Sequence, residues 1–113
     1  MDVKHFELTR FDSAADEACD LIKALAHPAR LRIVCALSGQ ECSVTGLAEI
    51  AAVPISTISR HLALLRKDRI VKARRARQTV YYSLKDETIG KFVATLAETF
   101  CAINPDQNLK RKV

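Results

Sequence analysis

Residues 54–84 read PISTISRHLALLRKDRIVKARRARQTVYYSL, and the fold turns on this stretch. In its first half Ile55, Ile58, Leu62 and Leu65, with Leu64 beside them, recur at helical spacing along one side. Ser56, Thr57, Ser59, Arg60 and His61 fall on or near the opposite side, early in the same helix. After Asp68 the period changes. Ile70 and Val71 open an extended run that becomes the basic segment 72–77, KARRAR, and residues 79–84, TVYYSL, return as a β-branched, aromatic strand. The stretch therefore predicts one amphipathic helix followed by a hairpin of two short strands.

Charge is concentrated in the same place. Between Ile55 and Gln78 stand eight Lys or Arg and a single acid, Asp68, a local +7 in a chain of +5, so the remainder carries −2. A charge run is usually a solvated face, but this one lies on a hairpin directly behind a helix rich in Ser and Thr. Short hydroxyl donors on the first turns of a helix suit the major groove, and a basic hairpin suits phosphates or the minor groove. Release of counterions from the DNA then supplies much of the affinity. The partner predicted is double-stranded DNA.

Around this stretch, 113 residues allow one domain with a single core. Aromatic residues make up only 5%, and three Gly and three Pro are few, so helices packed on helices are expected rather than an all-β fold. The N-terminal MDVKHFELTRFD has no signal-peptide core and no apolar run reaches 18 residues, which predicts a cytoplasmic protein without a membrane partner. Cys19, Cys35, Cys42 and Cys101 are widely spaced, with no Cys-x-x-Cys and no Cys/His pair at zinc-finger spacing. Thiols are the default, no metal or cofactor is implied, and a thiol–disulfide enzyme lacks its adjacent resolving cysteine. The chain is not expected to be an enzyme.

Residues 1–12 are expected as an N-terminal arm and 104–113 as a polar tail, with the domain between them at 13–103. Ser13 is the expected N-cap of a first helix with the stripe Ala14, Ala18, Leu21, Ile22 and Leu25. His27-Pro28 interrupts it, since proline disfavours helix at the preceding residue and suits the first turn of the next helix. A second helix, 28–37, carries Leu31, Val34, Cys35 and Leu37 and stops at Ser38-Gly39. Ser43 should cap a third, 44–51, with Val44, Leu47, Ala48 and Ile50 for the core. This helix, the turn 52–54 and the helix that opens the quoted stretch make a helix-turn-helix, and the hairpin adds a wing. The last helix, from 85 or 86 to 102, has the stripe Ile89, Phe92, Val93, Leu96, Phe100 and Ile103. A stripe this wide on so small a chain calls for a second copy.

Taken together, LIKALAHPARLRIVCAL, SVTGLAEIAAVPISTISRHLALLRKDRIV and ARRARQTVYYSL closely resemble the ArsR/SmtB family of bacterial repressors, over about residues 13–103. The resemblance implies a mainly α winged helix-turn-helix with a small β wing. It implies a homodimer through the first and last helices, here with Leu21, Phe92, Val93, Leu96 and Phe100 at the interface. Such a dimer binds a palindromic operator and leaves it when an inducer arrives. Matched by position, Ser56, Thr57, Ser59, Arg60 and His61 belong to the recognition helix, and Arg74, Arg75, Arg77 and Gln78 to the wing. Two departures stand out: Asp68-Arg69 where members commonly have Asp-Gly, and Ala76-Arg77 at a wing tip that often carries Gly.

The inducer is read from the cysteines. Residues 85–103 contain no His, so the zinc or cobalt site found on the last helix of some members is absent. Cys35 in RIVCAL and Cys101 in ETFC, 66 residues apart, resemble the dithiol pair of the persulfide-sensing SqrR/BigR/HlyU group. That likeness implies a repressor that binds DNA when reduced and releases it when Cys35 and Cys101 are bridged by a persulfide or polysulfide inducer. The alternatives are an As(III) or soft-metal repressor using Cys42 with another cysteine, and a constitutive DNA-binding protein.

Overall fold

The computed structural model describes residues 5–103. The order is α1 (His5–Leu25), α2 (Pro28–Ala36), β1 (Cys42–Ser43), α3 (Val44–Ala51), α4 (Ile55–Lys67), β2 (Val71–Ala76), β3 (Thr79–Leu84) and α5 (Glu87–Ile103). The expected tail lies outside the described residues. Helix α1 is described over His5–Leu25, so Ser13 lies within it and does not cap it. Residues 5–13, HFELTRFDS, contain neither Gly nor Pro, and nothing stops a helix from extending upstream.

The break between α1 and α2 follows from Pro28. His27 is extended (φ −155°, ψ 125°), as the residue before proline prefers. Its Nδ1 accepts a hydrogen bond from the Ala29 N–H at 3.1 Å, so an imidazole serves as the N-cap of α2. Past α2, Gly39 turns the chain at φ +81°.

The sheet has three strands where the sequence reading had two. Strand β1 pairs antiparallel with β3, with Cys42 opposite Tyr82 and Ser43 opposite Tyr81, and the order is β1-β3-β2. A strand of two residues is too short to leave an alternating pattern in the sequence. Ser43 then has a second task, as its Oγ accepts from the Gly46 N–H at 3.2 Å and caps α3. One residue thus ties the wing sheet to the helix-turn-helix.

The core forms where α2, α3, α4 and α5 converge on Ile33, Val34, Leu37, Leu47, Ile58, Leu62, Leu65 and Val93, all less than 2% exposed. The expected core residue Ile50 is outside it, 58% exposed, and so are two residues of the apolar side of α4, Ile55 at 52% and Leu64 at 40%. The buried strip of α4 is narrow, consisting of Ile58, His61, Leu62 and Leu65. At 100° per residue Ile55 and Leu64 lie about 70° and about 110° from its centre.

Both departures from the family pattern fall on left-handed backbone. Arg69 has φ 60° and Arg77 φ 59°. Arg69 reverses the chain after α4, where the Ile70 N–H reaches the Leu65 carbonyl at 2.9 Å. Arg77 opens the two-residue loop between Ala76 and Thr79. Side chains with a Cβ are strained there by roughly 1–2 kcal/mol, and glycine loses about 0.5–1 kcal/mol of that advantage through its freedom in the unfolded chain. Arg69→Gly should therefore raise the unfolding free energy by about 0.5–1 kcal/mol, measured by urea denaturation at fixed protein concentration. Arg69→Ala removes the same charge and should show no such gain.

Candidate nucleic-acid interface

Helix α4 divides its sides cleanly. Ser56, Ser59 and Arg60 are exposed and Thr57 is half-buried. Pro54 at the N-cap offers no side-chain acceptor, so the first-turn N–H groups point outward uncapped. Arg66 and Lys67 occupy the last turn, and α4 contains no acid.

His61 corrects the sequence reading. It is 4% exposed, turned away from the face of Ser56 and Arg60 and into the junction with α2. Arg30 Nε donates to His61 Nδ1 at 3.3 Å, and Arg30 Nη1 donates to the Ala24 carbonyl at 3.3 Å. The His27 ring lies 4.6 Å from that of His61, centroid to centroid. Because arginine only donates, Nδ1 must be unprotonated. Burial pushes the His61 pKa below its usual value, and the neighbouring His27, Arg30 and Arg60 push the same way. His61 is thus a neutral anchor under the exposed face. The match to the family's recognition helix had placed it with the DNA contacts.

On the wing, Arg75, Arg77 and Gln78 are exposed, as is Lys72. Arg74 is also exposed but engaged. It grips Glu41 with two hydrogen bonds, Nε to Oε2 at 3.0 Å and Nη2 to Oε1 at 2.8 Å. Its guanidinium lies 5.1 Å from the centroid of Tyr81, its cross-strand partner. The hydrogen bond from Arg74 holds the Glu41 carboxyl below the usual carboxylate range. Arg74 is therefore a strut between β2 and the residue preceding β1. Sequence reasoning missed Glu41, whose one signal was being an acid next to Cys42, far along the chain from its partner.

The cysteines occupy different settings. Cys42 is buried, its thiol 4.0 Å from the Ala36 carbonyl, and burial raises its pKa. Cys35 is half-buried on α2 against the core, and burial raises its pKa as well. Cys19 on α1 and Cys101 in the last turns of α5 are exposed. Helix α2 packs on α5. Among the described residues no three His, Cys, Asp or Glu side chains gather as a metal site.

The expected interface residues separate in the same way. Phe92 is 40% and Phe100 58% exposed, while Leu21 and Leu96 are half-buried. Val93 is fully buried in its own subunit's core, so it cannot present a side chain to a second copy. On α1, Phe11 and Ile22 are more than half exposed.

A helix-turn-helix with hydroxyls and an arginine on its free face, followed by a basic two-stranded wing, defines a winged helix-turn-helix DNA-binding protein. Comparison with known proteins gives the family. Residues 27–73 match the model of the bacterial regulatory protein, arsR family. The HTH-type transcriptional regulator YgaV of Escherichia coli K12 is 36% identical over 96 residues, 84% of this chain and 97% of that one. Among solved structures, HlyU from Vibrio vulnificus CMCP6 superposes with a TM-score of 0.74 at 38% identity, covering 83% of this chain and 98% of that one. The transcriptional repressor BigR from Xylella fastidiosa gives 0.77 at 33%, covering 82% and 95%. The chain belongs to the ArsR family and is a transcriptional regulator, not an enzyme.

The buried His61 makes stability depend on pH. Its folded pKa lies below the ordinary 6.5, so the unfolded chain takes up the proton first as pH falls. The contribution is complete above about pH 6.5 and is lost as pH falls from there through the folded pKa. Urea unfolding from pH 7.5 to 5 should show this loss, and His61→Asn, whose Oδ1 can still accept from Arg30, should lack that part of the slope.

Proposed function

We propose that the chain is a dimeric transcriptional repressor that binds a palindromic operator while Cys35 and Cys101 are reduced and releases it when they are bridged. The observation that carries this reading is that Cys35 and Cys101 belong to two helices packed on each other. The exposed Phe92 and Phe100 on α5, with Phe11 and Ile22 on α1, support pairing of two copies through those helices. Ser56, Thr57, Ser59 and Arg60 then face the major groove, with Arg75, Arg77 and Gln78 along the backbone.

The chemistry starts at Cys101. Cys101 is exposed and Cys35 half-buried, so Cys101 is the more accessible and attacks first, at the sulfane sulfur of a hydropersulfide RS–SH. This gives Cys101–S–SH and releases RS⁻. The Cys35 thiolate then attacks the inner sulfur, forming Cys35–S–S–Cys101 and expelling HS⁻. Both protein thiols are oxidised by two electrons in total and the sulfane sulfur is reduced to sulfide. Where the thiols are too far apart for a two-sulfur link, an inorganic polysulfide leaves a longer bridge. Linking α2 to α5 shifts the two α4 helices relative to half-sites about 34–36 Å apart, and a coupling of about 1–3 kcal/mol lowers operator affinity roughly 5–150-fold. The burial of Cys42 in the core weighs against its use as an arsenic ligand.

Mass spectrometry of the reduced protein after treatment with glutathione persulfide should find Cys35 and Cys101 joined by two or more sulfurs. The same treatment should release operator DNA from the wild type but not from Cys35→Ser or Cys101→Ser. Release by As(III) without a bridge would reverse the reading. The wing contacts are separable by salt. Arg75→Ala should flatten the dependence of log affinity on log salt by about one unit per subunit, about two for the dimer, whereas Arg74→Ala should change it less, because Glu41 already neutralises that side chain.

A further inference from the structure

We infer that Ile55 is a base-reading residue that packs on the C5-methyl group of a thymine in the major groove. This rests on the reading of α4 as the helix that enters DNA. Ile55 is the first residue of α4 and is 52% exposed, whereas Ile58, one turn on, is fully buried. It takes no part in the apolar cluster that Val53 and Ile58 join on either side of it. A single exposed apolar side chain is ordinary on a protein surface. Its setting here is not.

The exposed polar residues of the same first turns, Ser56, Ser59 and Arg60, all offer hydrogen bonds, and at 100° per residue Ile55 lies about 40° from Ser59, about 100° from Ser56 and about 140° from Arg60 around the helix. The residues that touch base edges in a helix-turn-helix come from the first turns of the second helix. The helix has no acid, and the wing behind it adds positive charge, so the surface around Ile55 is complementary to DNA. The base edges of the major groove carry one apolar group, the thymine methyl. Arg60 and the hydroxyls read donors and acceptors, and Ile55 reads the methyl. Both apolar groups lose water when they meet.

The test uses the full-length reduced protein and duplexes enriched by it from a random pool. Each thymine of the enriched site is replaced singly by deoxyuridine, which removes only the methyl group, and affinities are read by fluorescence anisotropy at fixed salt. At one thymine per half-site the change should weaken wild-type binding about fourfold, the equivalent of one buried methylene-sized group. Ile55→Ala should bind the thymine and deoxyuridine duplexes equally, and Ile55→Val should keep part of the difference. Because residue 55 is exposed and alanine favours helix, the alanine variant retains the fold, checked by an unchanged urea midpoint. Equal deoxyuridine effects in wild type and Ile55→Ala at every thymine would overturn the assignment of Ile55 alone. Failure to enrich any sequence would overturn the reading of α4 beneath it.

Discussion

Helix α4 has to be held along one side while every group that meets DNA stays free on the other. The strip of Ile58, His61, Leu62 and Leu65 meets that constraint. Three of the four are aliphatic and their burial supplies adhesion. The fourth supplies direction, since the neutral imidazole of His61 accepts from Arg30, which in turn donates to the end of α1 at Ala24. His27 packs against the same imidazole and caps α2. The junction of α1 and α2 therefore fixes the rotation of α4 about its axis, and with it which residues face outward. A purely aliphatic strip would hold the helix less specifically.

The wing is attached to this unit at two places. Ser43 pairs with Tyr81 through β1 and caps α3 with its hydroxyl. Arg74 lies beside Tyr81 and reaches Glu41, so β2, β3 and the segment before β1 are linked by one guanidinium. The hairpin is thus a braced extension of the helix-turn-helix. Its tip carries Arg77 on left-handed backbone, and Arg69 at the other end of β2 is in the same conformation. Both are cations where glycine would be more relaxed, which sets positive charge at the two ends of one strand against local strain.

The cysteines show how environment separates residues of one type. Cys42 behaves as a small core side chain, Cys35 is half-buried on a helix that packs against α5, and Cys19 and Cys101 meet solvent. Burial also raises the pKa of Cys35 above that of an ordinary thiol.

Helical periodicity, the proline after His27, the cap at Ser43 and the cluster of cations made the helix-turn-helix, its wing and the polarity of α4 legible from the chain alone, because each is set by residues close together in sequence. Tertiary structure decided the rest. His61 changed from a DNA-facing residue to a buried anchor because of Arg30, 31 residues away, and Arg74 became a strut because of Glu41, 33 residues away. Val93 moved into the subunit core, while Ile50, Ile55 and Leu64 moved out of it. Local pattern records which side chains share a face; only packing decides how wide a part of that face is covered, and which polar groups find distant partners.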